Sequence, residues 1–151
     1  MNLVVSNLAL LPASARRRNL IQRAAKLTLA AERAKARGEL NVVFLDRAKM
    51  RKLNKQFLGH DYDTDVIAFN YSASPKLADA PFGDVYISAY LVRLQAKQLD
   101  HSVLTEVLTL VVHGTLHLLG YDDGTPRQKA AMFKKQNAVL QQLNSGQPLN
   151  F

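Results

Sequence analysis

The sequence contains no cysteine among its 151 residues, which excludes disulfide bonds and thiolate metal ligands. It also lacks an apolar run approaching the ~20 residues that a membrane-spanning helix requires. The N-terminus has neither the charged start nor the cleavage pattern of a signal peptide. We therefore expect a cytoplasmic protein that acts without a membrane partner.

Acidic residues are scarce in the first part of the chain. Residues 1–57 contain 13 of the 20 Lys and Arg residues but only 3 of the 12 Asp and Glu residues, and the formal net charge of the whole chain is +8. A basic surface attracts polyanionic substrates such as nucleic acids. A solvated helix face is the alternative interpretation of the same pattern.

The chain lacks internal repeats and linker-like segments, so we expect one domain spanning residues 1–151. Apolar periodicity and turn residues predict strands over Leu3–Leu8, Leu40–Leu45, Thr64–Tyr71 and Phe82–Ala89. They predict helices that open at Pro12 and Ser14, at Asp46, at Tyr90, at Ser102 and at Thr125, with a loop over Ser72–Ala80 and a loosely held tail over Ser145–Phe151. The pattern indicates an α+β fold with about four strands and four or five helices.

The most informative segment is His113-Gly-Thr-Leu-His117-Leu-Leu-Gly120-Tyr-Asp-Asp123. Two histidines four residues apart on a helix project from the same face. Gly120 can adopt a left-handed turn that ends the helix and returns a carboxylate towards them. Catalytic zinc sites use three such ligands, and the fourth position holds a water whose pKa falls to about 7. Two buried histidines bonded to backbone carbonyls are the alternative.

Two carboxylates follow the helix, and either can supply the third ligand. We favour Asp123, and its neighbour Asp122 is the alternative ligand, because the sequence does not fix the geometry of the helix end this finely. Glu106 lies two helical turns before His113, where it can orient a ligating imidazole or simply occupy the edge of the core. We therefore expect His113, His117 and Asp123 to bind the metal.

The residue after the first histidine bears on the reaction type. In the zinc peptidase pattern His-Glu-x-x-His this position is the glutamate that serves as general base, whereas here it is Gly114. A peptidase of that type would lack its base. Phosphodiester cleavage demands less, because the metal both activates water and neutralises phosphate charge.

The histidine segment closely resembles the signature of the YbeY-type endoribonucleases that mature ribosomal RNA. The resemblance covers roughly residues 40 to 143 in consistent order. Its other matching segments are Leu53-Asn54, Phe57, Asp61, Thr64–Phe69 and Gly83–Ser88. It implies a small mixed sheet packed with helices and a zinc site at the C-terminal end of a central helix, with one Zn²⁺ per chain.

The resemblance also implies a substrate and partners. It indicates a single-strand-specific, zinc-dependent endoribonuclease acting in 16S rRNA 3′-end maturation and ribosome quality control. Small-subunit rRNA and the ribosome or its proteins are then the expected partners, and no oligomeric state is predicted.

Two positions depart from the best-known members of that family. They carry histidine where this chain has Asp123, and arginine where it has Leu58. A carboxylate oxygen is an accepted zinc ligand, so we expect binding to be retained, with a less acidic bound water. Leucine cannot hold phosphate, so the phosphate contacts must come from elsewhere. The candidates are Arg16, Arg17, Arg18, Lys52, Lys55 and His60.

Two hypotheses compete with RNA cleavage. One is a non-catalytic ribosome- or rRNA-binding assembly factor with a structural metal. The other is a metallopeptidase, which would need a base other than residue 114.

Overall fold

The computed structural model describes residues 1–35, 37–71 and 82–146, which form a mixed four-stranded sheet and five α-helices. The strands are β1 (Asn2–Ser6), β2 (Glu39–Leu45), β3 (Val66–Asn70) and β4 (Gly83–Ser88). The helices are α1 (Arg18–Ala31), α2 (Arg47–Leu58), α3 (Ala89–Gln98), α4 (Val103–Leu118) and α5 (Pro126–Gly146). The fold is α+β, as predicted. None of these helices has the length and apolar character needed to cross a membrane.

The sheet has the order β1-β2-β4-β3, with β3 antiparallel to β4 and the other neighbours parallel. Side chains alternate along β2, where Leu40, Val42 and Phe44 are buried. Helix α4 packs across β3 and β4 and also contacts α1, α3 and α5. This central position explains why α4 is apolar on nearly every side.

The opposite face of the sheet carries a polar cluster on β4. The Asp84 carboxylate accepts hydrogen bonds from the hydroxyls of Tyr71 and Tyr86, both at 3.0 Å, and from the Asn41 amide at 3.0 Å. Burial of the ring and the neighbouring Asp84 carboxylate raise the pKa of Tyr86 to about 12.

Local cap chemistry begins three helices where the sequence predicts. The side chains of Asp46, Ser102 and Thr125 accept hydrogen bonds from backbone N–H groups three residues later, at 2.8, 3.0 and 3.1 Å. Each bond satisfies a donor that the first turn of a helix leaves without a partner.

Three predicted boundaries are wrong. Helix α1 begins at Arg18 rather than at Pro12 or Ser14, because Ala13–Ala15 form a separate 3₁₀ turn. Strand β1 ends at Ser6, since Leu8–Leu10 form another such turn. Helix α5 includes Ser145, which was predicted to belong to a loose tail. The predicted loop over residues 72–80 and the rest of the tail lie outside the described residues.

Candidate metal centre

The C-terminal end of α4 turns the chain back on itself. Gly120 adopts a left-handed conformation with φ of 100°. The backbone N–H of Tyr121 donates to the carbonyl of Leu116 at 3.1 Å, and that of Gly120 donates to the carbonyl of His117 at 3.0 Å. These two bonds define a Schellman motif, which requires a residue that tolerates positive φ. The reversal returns residues 121–123 to the face of α4 that carries both histidines.

Three ligand atoms converge at this end of α4. The Nε2 atoms of His113 and His117 lie 3.0 Å apart, and the Asp123 Oδ2 atom lies 3.5 Å from each of them. Two ligands held about 2.1 Å from a tetrahedral zinc ion are separated by roughly 3.4 Å. The triangle therefore has the dimensions of three zinc ligands. Asp122 is not part of this group.

The outer nitrogen of each imidazole is held by a hydrogen-bond acceptor. His117 Nδ1 lies 2.8 Å from the carbonyl oxygen of Tyr121, and His113 Nδ1 lies 2.9 Å from Oε1 of Gln136. A carbonyl oxygen only accepts, so each Nδ1 carries the hydrogen, and in the neutral imidazole each Nε2 then presents a lone pair. Two lone pairs and a carboxylate facing one another repel unless a cation lies between them, so the donor set fits a metal ion.

The residue that orients His113 was not found from the sequence. Gln136 is 5% exposed and lies on α5, 23 residues away from His113. It belongs to a buried stripe with Met132, Val139 and Leu143. A single polar residue inside such an apolar stripe signals a buried hydrogen bond, although the sequence does not name the partner.

Glu106 does not perform the orienting role considered for it. Its Oε2 atom lies 2.7 Å from Nε2 of His101 in the loop between α3 and α4, and its side chain is almost fully buried. Seven residues along a helix correspond to a rise of about 10 Å, which places Glu106 well away from His113. It is neither a partner of the metal-site imidazoles nor an edge residue.

Tyr121 links the turn to two other helices. Its hydroxyl donates to the Glu32 carboxylate just after α1, and this bond raises the pKa of Tyr121. Glu32 in turn lies 3.5 Å from Nζ of Lys135 on α5. The segment that carries Asp123 is therefore fastened to α1 and α5.

Gly114 is required by packing. A Cβ atom at this position would lie 2.5 Å from a methyl group of Val85 and 2.8 Å from one of Val66. Helix α4 therefore approaches β3 and β4 more closely than any side chain at residue 114 would allow.

The metal-site group opens onto solvent and onto a cavity. The side chains of His113, His117 and Asp123 are 24%, 26% and 45% exposed. A cavity of about 170 Å³ begins at His113 and Asp123 and runs between α4 and α5. An accessible fourth position beside a cleft is typical of catalytic rather than structural zinc sites.

The six basic candidates do not line this cavity. The guanidinium of Arg16 donates to the carbonyls of Leu11 and Ala9, at 2.8 and 3.3 Å, and Arg18 donates to the carbonyl of Val5. These two side chains therefore hold the local backbone. Arg17 lies with them at the start of α1, a helix of 14 residues that spans about 20 Å. Tyr121 of the metal-site turn contacts Glu32 beyond the other end of α1, so the three arginines lie at the end of α1 that is far from this turn.

The remaining three candidates lie on α2 and the loop after it. Lys52 is exposed, Lys55 lies 3.8 Å from the Asp61 carboxylate, and the His60 ring stacks on Tyr62. Lys129 of α5, which the sequence did not indicate, is a cation that lines the cavity.

Comparison with known proteins gives the family of this chain. A family model described as endoribonuclease YbeY matches residues 9–144. The chain belongs to the endoribonuclease YbeY family. It is therefore a member of a family of RNA-cleaving hydrolases.

Curated relatives with the name endoribonuclease YbeY cover most of the chain. The protein from Elusimicrobium minutum is 42% identical over 71% of this chain and 76% of its own length. That from Pelotomaculum thermopropionicum is 39% identical over 83% of this chain and 85% of its own length. The solution structure of TM1509 from Thermotoga maritima has a TM-score of 0.61 and 25% identity, over 97% of this chain and 91% of that one.

Proposed function

We propose that this chain is a zinc-dependent endoribonuclease that cleaves single-stranded RNA. The observation that carries the proposal is the triangle of His113 Nε2, His117 Nε2 and Asp123 Oδ2, with sides of 3.0, 3.5 and 3.5 Å. Family membership supports RNA as the substrate. One Zn²⁺ per chain, when bound, supplies Lewis acidity and neutralises charge on a phosphodiester.

The protein's own residues prepare this site for an ion. Gln136 and the Tyr121 carbonyl hold both imidazoles in the tautomer whose Nε2 atoms bind metal. Asp123 adds one negative charge, which favours a divalent cation over water in the same position. Lys129 places a positive charge at the adjacent cavity, where a substrate phosphate would be attracted.

The biological setting follows from the family resemblance. The proposed substrate is the 3′ end of 16S rRNA during small-subunit maturation and ribosome quality control, in the cytoplasm and with the ribosome as partner. The basic character of residues 1–57 supports an extended RNA ligand. Arg17, Lys52, Lys55 and His60 remain the proposed outer RNA contacts.

Peptide hydrolysis is disfavoured by the same site. Gly114 offers no base, and a Cβ atom there would overlap Val66 and Val85. Glu106 is paired with His101 and lies about two helical turns from His113.

The test combines metal content and cleavage in matched variants. Zinc should copurify at one ion per chain, and stripping it should abolish cleavage of single-stranded RNA. Asp123→Ala should lose both zinc and cleavage, whereas Asp122→Ala, which removes the neighbouring carboxylate, should retain both. Stoichiometric zinc without any RNA cleavage would instead favour a non-catalytic assembly factor. Equal zinc affinity in the two variants would contradict the ligand assignment.

A further inference from the structure

The cavity beside the metal-site group is a cleft between two helical stripes. Helix α4 lines it with Glu106, Thr109, Leu110 and His113, and α5 lines it with the stripe of Lys129, Met132, Phe133 and Gln136. Both sets follow the spacing i, i+3, i+4, i+7, so each lies on one face of its helix. The cleft therefore extends about 10 Å along α4, from the metal-site histidine to Glu106.

The size of the cavity limits what it can hold. Its volume is about 170 Å³, whereas pockets for drug-sized ligands measure roughly 300–1,000 Å³. It suits one planar ring system rather than a whole nucleotide. With a phosphate at His113, the base of the same or the adjacent nucleotide can reach along the cleft.

The walls combine an apolar surface with an exposed aromatic ring. Leu110 and Met132 are buried in the wall, whereas Phe133 is 57% exposed. Exposed aromatic rings are how single-stranded RNA bases are held by stacking. Lys129, one turn earlier on the same stripe, can reach the phosphate of a base stacked on Phe133.

The inner end of the cleft presents hydrogen-bond acceptors. Glu106 uses Oε2 for His101, and Asp65 uses Oδ2 for the Gln95 amide at 3.4 Å. The further acceptors on these cavity-lining side chains are Oε1 of Glu106, Oδ1 of Asp65 and Oε1 of Gln95. The Thr109 hydroxyl donates its hydrogen to the Thr105 carbonyl at 2.8 Å, so it adds no donor to the cleft.

We propose that this cleft is a nucleobase subsite selective for guanine, formed by Asp65, Glu106 and Phe133. Guanine is the RNA base whose Watson–Crick edge carries two adjacent donors, N1–H and the 2-amino group, and carboxylates accept from both. Uracil presents a single donor on that edge, N3–H, between two carbonyl oxygens that carboxylates repel. This inference rests on the proposed function, which makes RNA the substrate. It adds a preference for one base at a fixed position, which a metal ion alone does not provide.

Binding of free nucleotides tests the subsite without requiring cleavage. The probes are GMP, IMP, AMP, CMP and UMP, titrated by NMR into zinc-loaded protein, so that any phosphate contact is common to all five. We expect GMP to bind roughly 5- to 150-fold more tightly than UMP, the discrimination of one bidentate contact. IMP, which lacks the 2-amino group, should fall between them.

Matched variants assign the preference to the cleft. Asp65→Asn should reduce the GMP-to-UMP ratio at least about fivefold. Asp63→Asn is the control, because Asp63 lies two residues earlier, pairs with Arg47 at the surface and does not line the cavity. Phe133→Leu should weaken the binding of all five nucleotides by a similar factor and leave the order of their affinities unchanged. This variant still tests the subsite if Asp65→Asn does not fold.

The outcomes separate this inference from the proposed function. Equal binding of all five nucleotides, or identical ratios in Asp65→Asn and Asp63→Asn, would overturn the subsite even if RNA were cleaved. Selective GMP binding without any RNA cleavage would retain the subsite and reject the enzyme. Mapping the ends of cleaved random-sequence RNA should then show guanine enriched at one fixed position beside the cut.

Discussion

Gln136 offers the sharpest test of how the metal site is built. Its Oε1 atom holds His113 Nδ1 at 2.9 Å, and its side chain is 5% exposed. Gln136→Met keeps the approximate length and removes the acceptor. The unpaired Nδ1–H then costs about 1–3 kcal/mol. Loss of an outer partner of a metal ligand typically weakens metal binding about 10- to 100-fold, which is the effect we expect for zinc.

Zinc affinity is measured by competition with a chromophoric chelator at fixed pH. The gain in melting temperature on adding zinc gives an independent measure, because a ligand that binds only the folded state stabilises it. Gln141→Met, at an exposed position on the same helix, is the control and should bind zinc like the wild type. Gln136→Glu restores an acceptor and should recover affinity. If Gln136→Met matched Gln141→Met, His113 would not depend on Gln136, and the reasoning would be refuted.

Three further predictions concern packing, pH and salt. Gly114→Ala should lower the free energy of unfolding by about 1–3 kcal/mol in urea titrations, because its Cβ would overlap Val85 and Val66; an unchanged midpoint would contradict the close packing. The pKa of Tyr86 is raised to about 12 in the folded protein, whereas tyrosine in the unfolded chain has a pKa of about 10. The stabilisation from the neutral Tyr86 hydroxyl is therefore complete below about pH 10 and is lost as the pH rises towards 12. Wild type should therefore lose more stability than Tyr86→Phe across that alkaline window, and parallel curves would argue against the shift. RNA affinity should fall steeply with salt, and a flat dependence would exclude phosphate contacts by the basic residues.

Local signals account for what could be read from the sequence. The cap residues Asp46, Ser102 and Thr125 act on backbone groups three positions away, so the chemistry that begins these helices is contained in a short segment. The left-handed turn at Gly120 is equally local. The histidine spacing and this turn together bring Asp123 back to α4.

The contacts that complete the site are not local. Gln136 contacts His113 from 23 residues away, and the Glu106 carboxylate contacts the His101 ring rather than a metal-site imidazole. Both pairings depend on how α3, α4 and α5 pack, which periodicity alone does not specify. The start of α1 was misplaced for a related reason. Ala13–Ala15 form a tight turn, and the neighbouring Arg16 donates to the carbonyls of Leu11 and Ala9, contacts that periodicity does not indicate.

The contacts around Tyr121 have a consequence for the order of assembly. His117 is held by the Tyr121 carbonyl, the Tyr121 hydroxyl by Glu32, and Glu32 by Lys135, whose chain neighbour Gln136 holds His113. These contacts close a loop that passes through α1, α4 and α5 and returns to the second imidazole. The His117 contact forms within the turn that ends α4, whereas His113 acquires its partner only when α5 has docked on α4. Metal affinity therefore depends on the docking of α5 on α4, and a substitution of Glu32, beyond the end of α1, is expected to weaken metal binding through the turn that carries Asp123.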